Sequence, residues 1–187
     1  MVLLGQAPGR QYPGEMECLP AHPDFAPKLE PQPPPPPLTD EQREELAWDL
    51  GWELHKYARL DQRDELAKLL KEGGAYCDAP DVFPDLDWQA EDDGSTALWW
   101  TCMHGDWRSA KLLIDAGAPL DTCDTDLWTA ISVAARYGHH KCVKVLLDAG
   151  ADPSIKVADG ETAMQKAEFW EHSKCEELLN RGTSSHA

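Results

Sequence analysis

The sequence predicts an all-α solenoid of four stacked helix pairs, and three observations carry that expectation. Val145 to Pro153 reads VLLDAGADP, and thirty-three residues earlier Leu112 to Leu120 reads LLIDAGAPL. Thr96, Thr129 and Thr162 keep the same spacing, and each precedes an alanine (Ala97, Ala130, Ala163). The same period relates Gly105 to Gly138 and Gly117 to Gly150, and it places apolar residues in phase at Leu98, Ile131 and Met164 and at Leu113, Leu146 and Leu179. A fixed period of this size is the mark of a repeat array in which each unit needs its neighbours to bury its apolar face.

In chain order, residues 1–38 form a separate extended tail. It holds 11 of the 15 prolines, including the run Pro33 to Pro37, which favours a polyproline II conformation without internal hydrogen bonds. Thr39-Asp40-Glu41-Gln42 then has the order of a capping box that opens a helix. The first unit, about 39–74, keeps the pattern in Leu54 to Ala58 and Leu69 to Gly73, with Asp61 where later units have a turn glycine. An acidic insert, 75–92, follows. The second and third units span about 93–124 and 126–157, and a worn fourth spans 159–181 before a short tail, 182–187. Worn end units suit caps, whose outer faces meet water.

The third unit shows the internal grammar best. Thr129 to Arg136 reads as a short helix with small alanines on one side, and Tyr137-Gly138-His139-His140 stops it, because glycine accepts the positive φ of a sharp turn. Lys141 to Ala149 is a second helix, with Val143, Leu146 and Leu147 on one stripe. Gly150 caps it. Ile131 to His139 (ISVAARYGH) and Val145 to Asp152 (VLLDAGAD) resemble the ankyrin repeat patterns L-H-x-A-A-x-x-G-H and x-L-L-x-x-G-A-D. Leu98 to Ala118 resembles them more loosely, with Trp99 and Trp100 after the leucine. The resemblance implies short β-hairpin fingers between the helix pairs. It also implies a concave binding face made by the fingers and the exposed ends of the first helices. Carried over position by position, that face includes Met103, His104, Asp126, Trp128, Arg136, Tyr137, Phe169 and Trp170.

The pattern breaks at two places. Leu54 to Leu98 is 44 residues, so the first connection carries 11 extra. The stretch holding them includes Asp85, Asp87 and the aromatic Trp88, and no Lys or Arg occurs between Lys71 and Arg108. It reads either as a loop folded on its own repeat or as an acidic-aromatic finger that meets a basic partner. The second break is Leu127, which stands where the neighbouring units have Gly94 and Gly160, beside Trp128.

Composition narrows the function. Thirty-four acidic against 17 basic residues give a net charge of −17. That disfavours nucleic acid, whose phosphates reward Lys and Arg, and an anionic membrane surface. It favours a basic protein partner through steering. No apolar run is long enough to span a bilayer, and MVLLGQAPGR lacks the pattern of a signal peptide, so the expected location is intracellular. The six cysteines include no C-x-x-C pair. His139 with Cys142 and His172 with Cys175 have a spacing that could ligate zinc, but both pairs occupy repeat-equivalent positions, so buried structural thiols are expected, with no metal, disulfide or cofactor. There is no G-x-S-x-G, phosphate-cradling glycine loop or H-E-x-x-H. The expectation is a non-catalytic module that binds a protein partner, as an adaptor or regulator. The alternatives are a constitutive subunit of a larger assembly anchored by its proline-rich tail, and an enzyme with an unrecognised site.

Overall fold

The computed structural model describes residues 38–73 and 82–183. The proline-rich tail, the first part of the insert (74–81) and the final residues (184–187) lie outside the described residues. Among the described residues eight helices form four pairs: α1 (Asp40–Arg59) with α2 (Arg63–Glu72), α3 (Ala97–His104) with α4 (Trp107–Asp115), α5 (Ala130–Arg136) with α6 (His140–Ala149), and α7 (Ala163–Phe169) with α8 (Ser173–Thr183). The first helices pack in one row, α1 on α3 on α5 on α7, and the second helices in another, α2 on α4 on α6 on α8.

The threonines mark the helix starts. Thr39, Thr96, Thr129 and Thr162 each accept the backbone N–H three residues on, and Thr39 with Gln42 and Thr162 with Gln165 complete capping boxes. Such caps satisfy amide donors that a helix leaves open and are each worth about 1 kcal/mol. Between the rows, Leu54, Leu66, Leu69, Leu98, Leu113, Ile131, Leu146 and Leu179 are fully buried. Each such side chain stabilises the array by about 2 kcal/mol through burial.

The turns between paired helices require a left-handed backbone. Gly105 and Gly138 provide it, and a Cβ on either would meet the ring of a histidine from the next unit, His139 at 2.6 Å and His172 at 2.8 Å. At the equivalent positions of the end units, Asp61 and Glu171 adopt the same positive φ without being glycine. The junctions between units differ in chemistry. His139 Nε2 pairs with the Met103 carbonyl and His172 Nε2 with the Arg136 carbonyl, each at 3.0 Å. One period earlier the residue is Asp106, which is buried and binds Arg63 Nε at 3.0 Å and the Ser109 hydroxyl.

The fingers are tight turns rather than the short β-hairpins expected. Among the described residues the only bridge is an isolated one, between Lys156 and Thr162. The arms are too short for a ladder. Asp93, Asp124 and Asp159 carboxylates also take the N–H groups of Ser95, of Asp126 and Trp128, and of Glu161. Neighbouring fingers are joined edge to edge instead, by Thr125 N–H to the Asp93 carbonyl (3.0 Å) and Ala158 N–H to the Asp126 carbonyl (3.1 Å).

The insert and the length of the first helix are one feature. Helix α1 has 20 residues against 7 or 8 in the other first helices. Its added length is where the insert docks. Asp85 N–H donates to the Ala47 carbonyl at 3.0 Å. A Cβ on Gly51 would meet the Asp85 carbonyl oxygen at 2.7 Å and Trp88 Cβ at 2.8 Å, so the helix presents a flat backbone to the loop there. Trp88 is only 7% exposed. The described part of the insert packs on α1 through Asp85 and Trp88 and also reaches the finger ahead of α5, where Gln89 Nε2 donates to the Cys123 carbonyl at 3.1 Å.

Candidate functional site

Helix α5 ends in Arg136, and what surrounds that residue comes from two adjoining units of the array. Its guanidinium lies 5.0 Å from the ring centre of Trp128 in the preceding finger, 5.8 Å from that of Tyr137 at the cap of its own helix, and 5.8 Å from that of Trp170 at the cap of α7. Arg136 makes no ion pair among the described residues. Phe169 meets Trp170 edge to face at 5.3 Å and is itself 71% exposed. Tyr137, Trp170 and Leu127 are exposed as well. A cation over aromatic faces is attracted by the ring quadrupole, and here the same residues also leave a broad apolar surface in water.

A second cation closes the cluster from below. Lys166 lies 5.1 Å from the Trp128 ring centre and binds both Asp159 and Glu161, the latter at 2.8 Å. Burial acts to lower its pKa, but the two carboxylates outweigh it and hold the ammonium above its ordinary value. Together with Arg136, Phe169 and Trp170 these groups line a cavity of about 230 Å³. The sequence reading missed Lys166. Its signal was its place on the apolar side of α7, between Ala163 and Ala167, where a charge needs partners.

The finger that carries Trp128 is held firmly. Asp124 Oδ1 accepts from Trp128 N–H at 2.7 Å and from Asp126 N–H at 3.0 Å. Burial pushes the Asp124 carboxyl above its usual range, against the lowering effect of those two bonds. Leu127, between them, has φ of +60°, matching the left-handed Gly94 and Gly160. A leucine in that conformation carries a strain of about 1–2 kcal/mol.

The structure brings five of the predicted face residues together: Trp128, Arg136, Tyr137, Phe169 and Trp170. Asp126 adjoins them and contributes its carbonyl to the finger-to-finger bond. Met103 is linked more indirectly, since its carbonyl binds His139, whose ring stacks on Tyr137 at 6.2 Å. His104 lies apart. It stacks on Trp100 and bonds the Arg59 carbonyl, so it serves the junction with the first unit. Asp85, Asp87 and Trp88 are with α1, and Asp87 also accepts from the Thr122 hydroxyl at 3.2 Å.

Nothing in the site resembles an acid-base or nucleophilic constellation. His139 and His172 bond backbone carbonyls, and Cys142 and Cys175 are fully buried. Burial raises the Cys175 thiol to about 11. No group of three or more His, Cys, Asp or Glu among the described residues is arranged to hold a metal ion. No helix among them is long and apolar enough to cross a membrane. A family model described as ankyrin repeats (3 copies) matches residues 54–157 and, in an overlapping match, residues 109–186. None of the curated proteins compared with the chain matches it.

Proposed function

The chain belongs to the ankyrin repeat family, whose repeats generally mediate protein–protein interaction, and on that premise we propose that it is a non-catalytic adaptor or regulator gripping a protein partner at the Arg136 cluster. The observation that carries this reading is Arg136 itself. It is a guanidinium held between three aromatic rings and makes no ion pair among the described residues. Arg, Trp and Tyr are the residues that anchor interfaces. A preorganised arginine loses little freedom when it meets a partner carbonyl or carboxylate. The exposed Phe169, Trp170 and Leu127 supply the surrounding apolar surface.

The charge of −17 supports a partner whose wider surface is basic. In this reading Asp85, Asp87, Asp92 and Asp93 speed the encounter rather than anchor the complex. The test is affinity capture with the full chain, followed by quantitative binding of the recovered partner to Trp128→Ala. A loss of about 2 kcal/mol, close to thirty-fold, with an unchanged melting curve is expected. Exchanging the four acids for Asn keeps their turn hydrogen bonds and should slow association and flatten its salt dependence. If both variants bind as wild type does, the Arg136 cluster is not the contact, and another surface of the chain carries it.

A further inference from the structure

Where the insert docks on α1, a cavity of about 480 Å³ opens, and its walls have an unusual make-up. Three indoles line it: Trp48 and Trp52 from α1, both exposed, and Trp88 from the insert. Trp48 and Trp88 meet edge to face at 5.8 Å. Three carboxylates line it too, Asp49 from α1 and Glu91 and Asp92 from the insert. The sole basic residue in the lining is Arg59, which lies 3.9 Å from Asp92 and 5.2 Å over the ring of Trp100. Asp49 and Glu91 make no ion pair among the described residues.

Each of these features selects for the same kind of guest. Indole faces attract cations, and they do so more strongly when water is partly excluded, as in a recess. The neighbourhood already shows this preference, with Arg59 on Trp100 and Lys56 at 5.0 Å over Trp52. Carboxylates at the rim add direct pairing. His55 lines the cavity as well, bonded to the Ser95 hydroxyl at 3.0 Å. Burial holds its pKa below the ordinary value, so at neutral pH it adds no positive charge to oppose a cation. An ammonium would satisfy the rings, but a guanidinium satisfies both parts of the wall, because it stacks flat on an indole while its edge donates to carboxylates in pairs.

We infer that the cavity between α1 and the insert is a receptor for an arginine side chain of a basic protein partner, clasped by Trp48, Trp52 and Trp88 and paired with Asp49 and Glu91. It rests on the reading of the array as a protein-binding module and adds a second contact at the opposite end. Asp49 and Glu91 are then the residues that distinguish arginine from an apolar guest. The insert has a use in the same terms, since it brings one wall of the receptor and two of its acids.

The test uses the full chain and three blocked tripeptides, Gly-Arg-Gly, Gly-citrulline-Gly and Gly-Lys-Gly, with the indole N–H resonances as reporters. The arginine peptide is expected to shift the Trp48, Trp52 and Trp88 signals saturably below about 10 mM and to leave those of Trp128 and Trp170 in place. The citrulline peptide, which keeps the planar shape but exchanges the charge and two N–H donors for a carbonyl oxygen, should bind at least about ten-fold more weakly. An Asp49→Asn, Glu91→Gln variant, altered only at exposed positions, should lose about ten-fold for the arginine peptide at unchanged helical content. Equal binding of citrulline, or no movement of the three indoles, overturns the receptor. Equal binding of lysine overturns its preference for a guanidinium. None of these readouts involves the Arg136 cluster, whose own test is the Trp128→Ala variant, so either can fail while the other stands.

Discussion

Two clusters of three aromatic rings sit near opposite ends of the same array, and their charges are arranged in opposite ways. Around Trp128, Tyr137 and Trp170 the protein supplies its own cation, Arg136, and a second, Lys166, that is neutralised by Asp159 and Glu161. Around Trp48, Trp52 and Trp88 it supplies three carboxylates in the cavity wall, with Arg59 at the margin and Lys56 over the Trp52 ring. The first cluster is internally satisfied in its stacking and offers hydrogen-bond donors and apolar surface outward. The second keeps two carboxylates, Asp49 and Glu91, without an ion pair among the described residues, and offers acceptors. Aromatic surface alone does not tell what a face binds. The charges built in beside it decide whether the guest brings a cation or meets one.

The comparison can be broken most strongly at Gly138, which closes the turn after Arg136 and Tyr137. Gly138→Ala combines a positive φ of 73° with a methyl group 2.8 Å from the His172 ring. It should cost about 3 kcal/mol, lower Tm and disperse the Arg136 cluster. The indole signals of Trp48, Trp52 and Trp88 should stay unchanged below the transition, and their movement would show that the two ends are not independent. Gly150→Val, with φ of 94° and no atom within 4 Å of the added Cβ, involves backbone strain alone. It should cost less than Gly138→Ala, about 2 kcal/mol, and an unchanged melting temperature would mean that the turn tolerates a β-branched residue.

Leu127→Gly sharpens the comparison in the other direction. Removing a side chain from a left-handed position should raise stability by up to about 1 kcal/mol, visible as a rise in Tm. If Leu127 belongs to the binding surface, the same change weakens the partner captured through Trp128. A more stable protein with undiminished binding would assign the strained leucine no part in the interface.

The smallest effect is that of pH. His55 in the acidic region and His139 beside Tyr137 are both held below the ordinary value of 6.5, chiefly by burial. The unfolded chain therefore takes up these protons more readily. The stability tied to the neutral rings is complete above pH 6.5 and falls as pH drops below it. His55→Gln and His139→Gln should each lose less stability than wild type between about pH 7.5 and pH 5.5. Parallel melting profiles for all three proteins would show that neither ring is linked to folding. The variant that flattens the profile more identifies the region that acid loosens first.

Much of the fold was legible because the repeat writes it several times. Thr96, Thr129 and Thr162 announce helix starts, Gly105 and Gly138 announce turns, and the unusual backbone of Leu127 follows from its alignment with Gly94 and Gly160. Arg136 and its three rings were legible for the same reason, since each sits at a known place in the unit, whereas Lys166 was not. The receptor at α1 was not. Trp48, Trp52 and His55 fall at i, i+4 and i+7 on one helix face, a signal present in the sequence. Nothing local, though, says that a loop more than thirty residues onward will close over that face. Periodicity reports what repeats, and the receptor is made from two features that occur once.

The junctions between units have a consequence of their own. In a linear array each unit is coupled only to its neighbours, so the order of opening is set by the weakest coupler. Here the couplers differ in kind. Each junction has a histidine–carbonyl bond, at Arg59, Met103 and Arg136, and among the described residues the first alone adds an ion pair, that of Arg63 with the buried Asp106. Salt screens the ion pair and has little hold on the histidine–carbonyl bonds. A uniform ladder of units would come apart wherever chance began it. This one has unlike rungs, so the solvent can choose the end at which it starts to unzip.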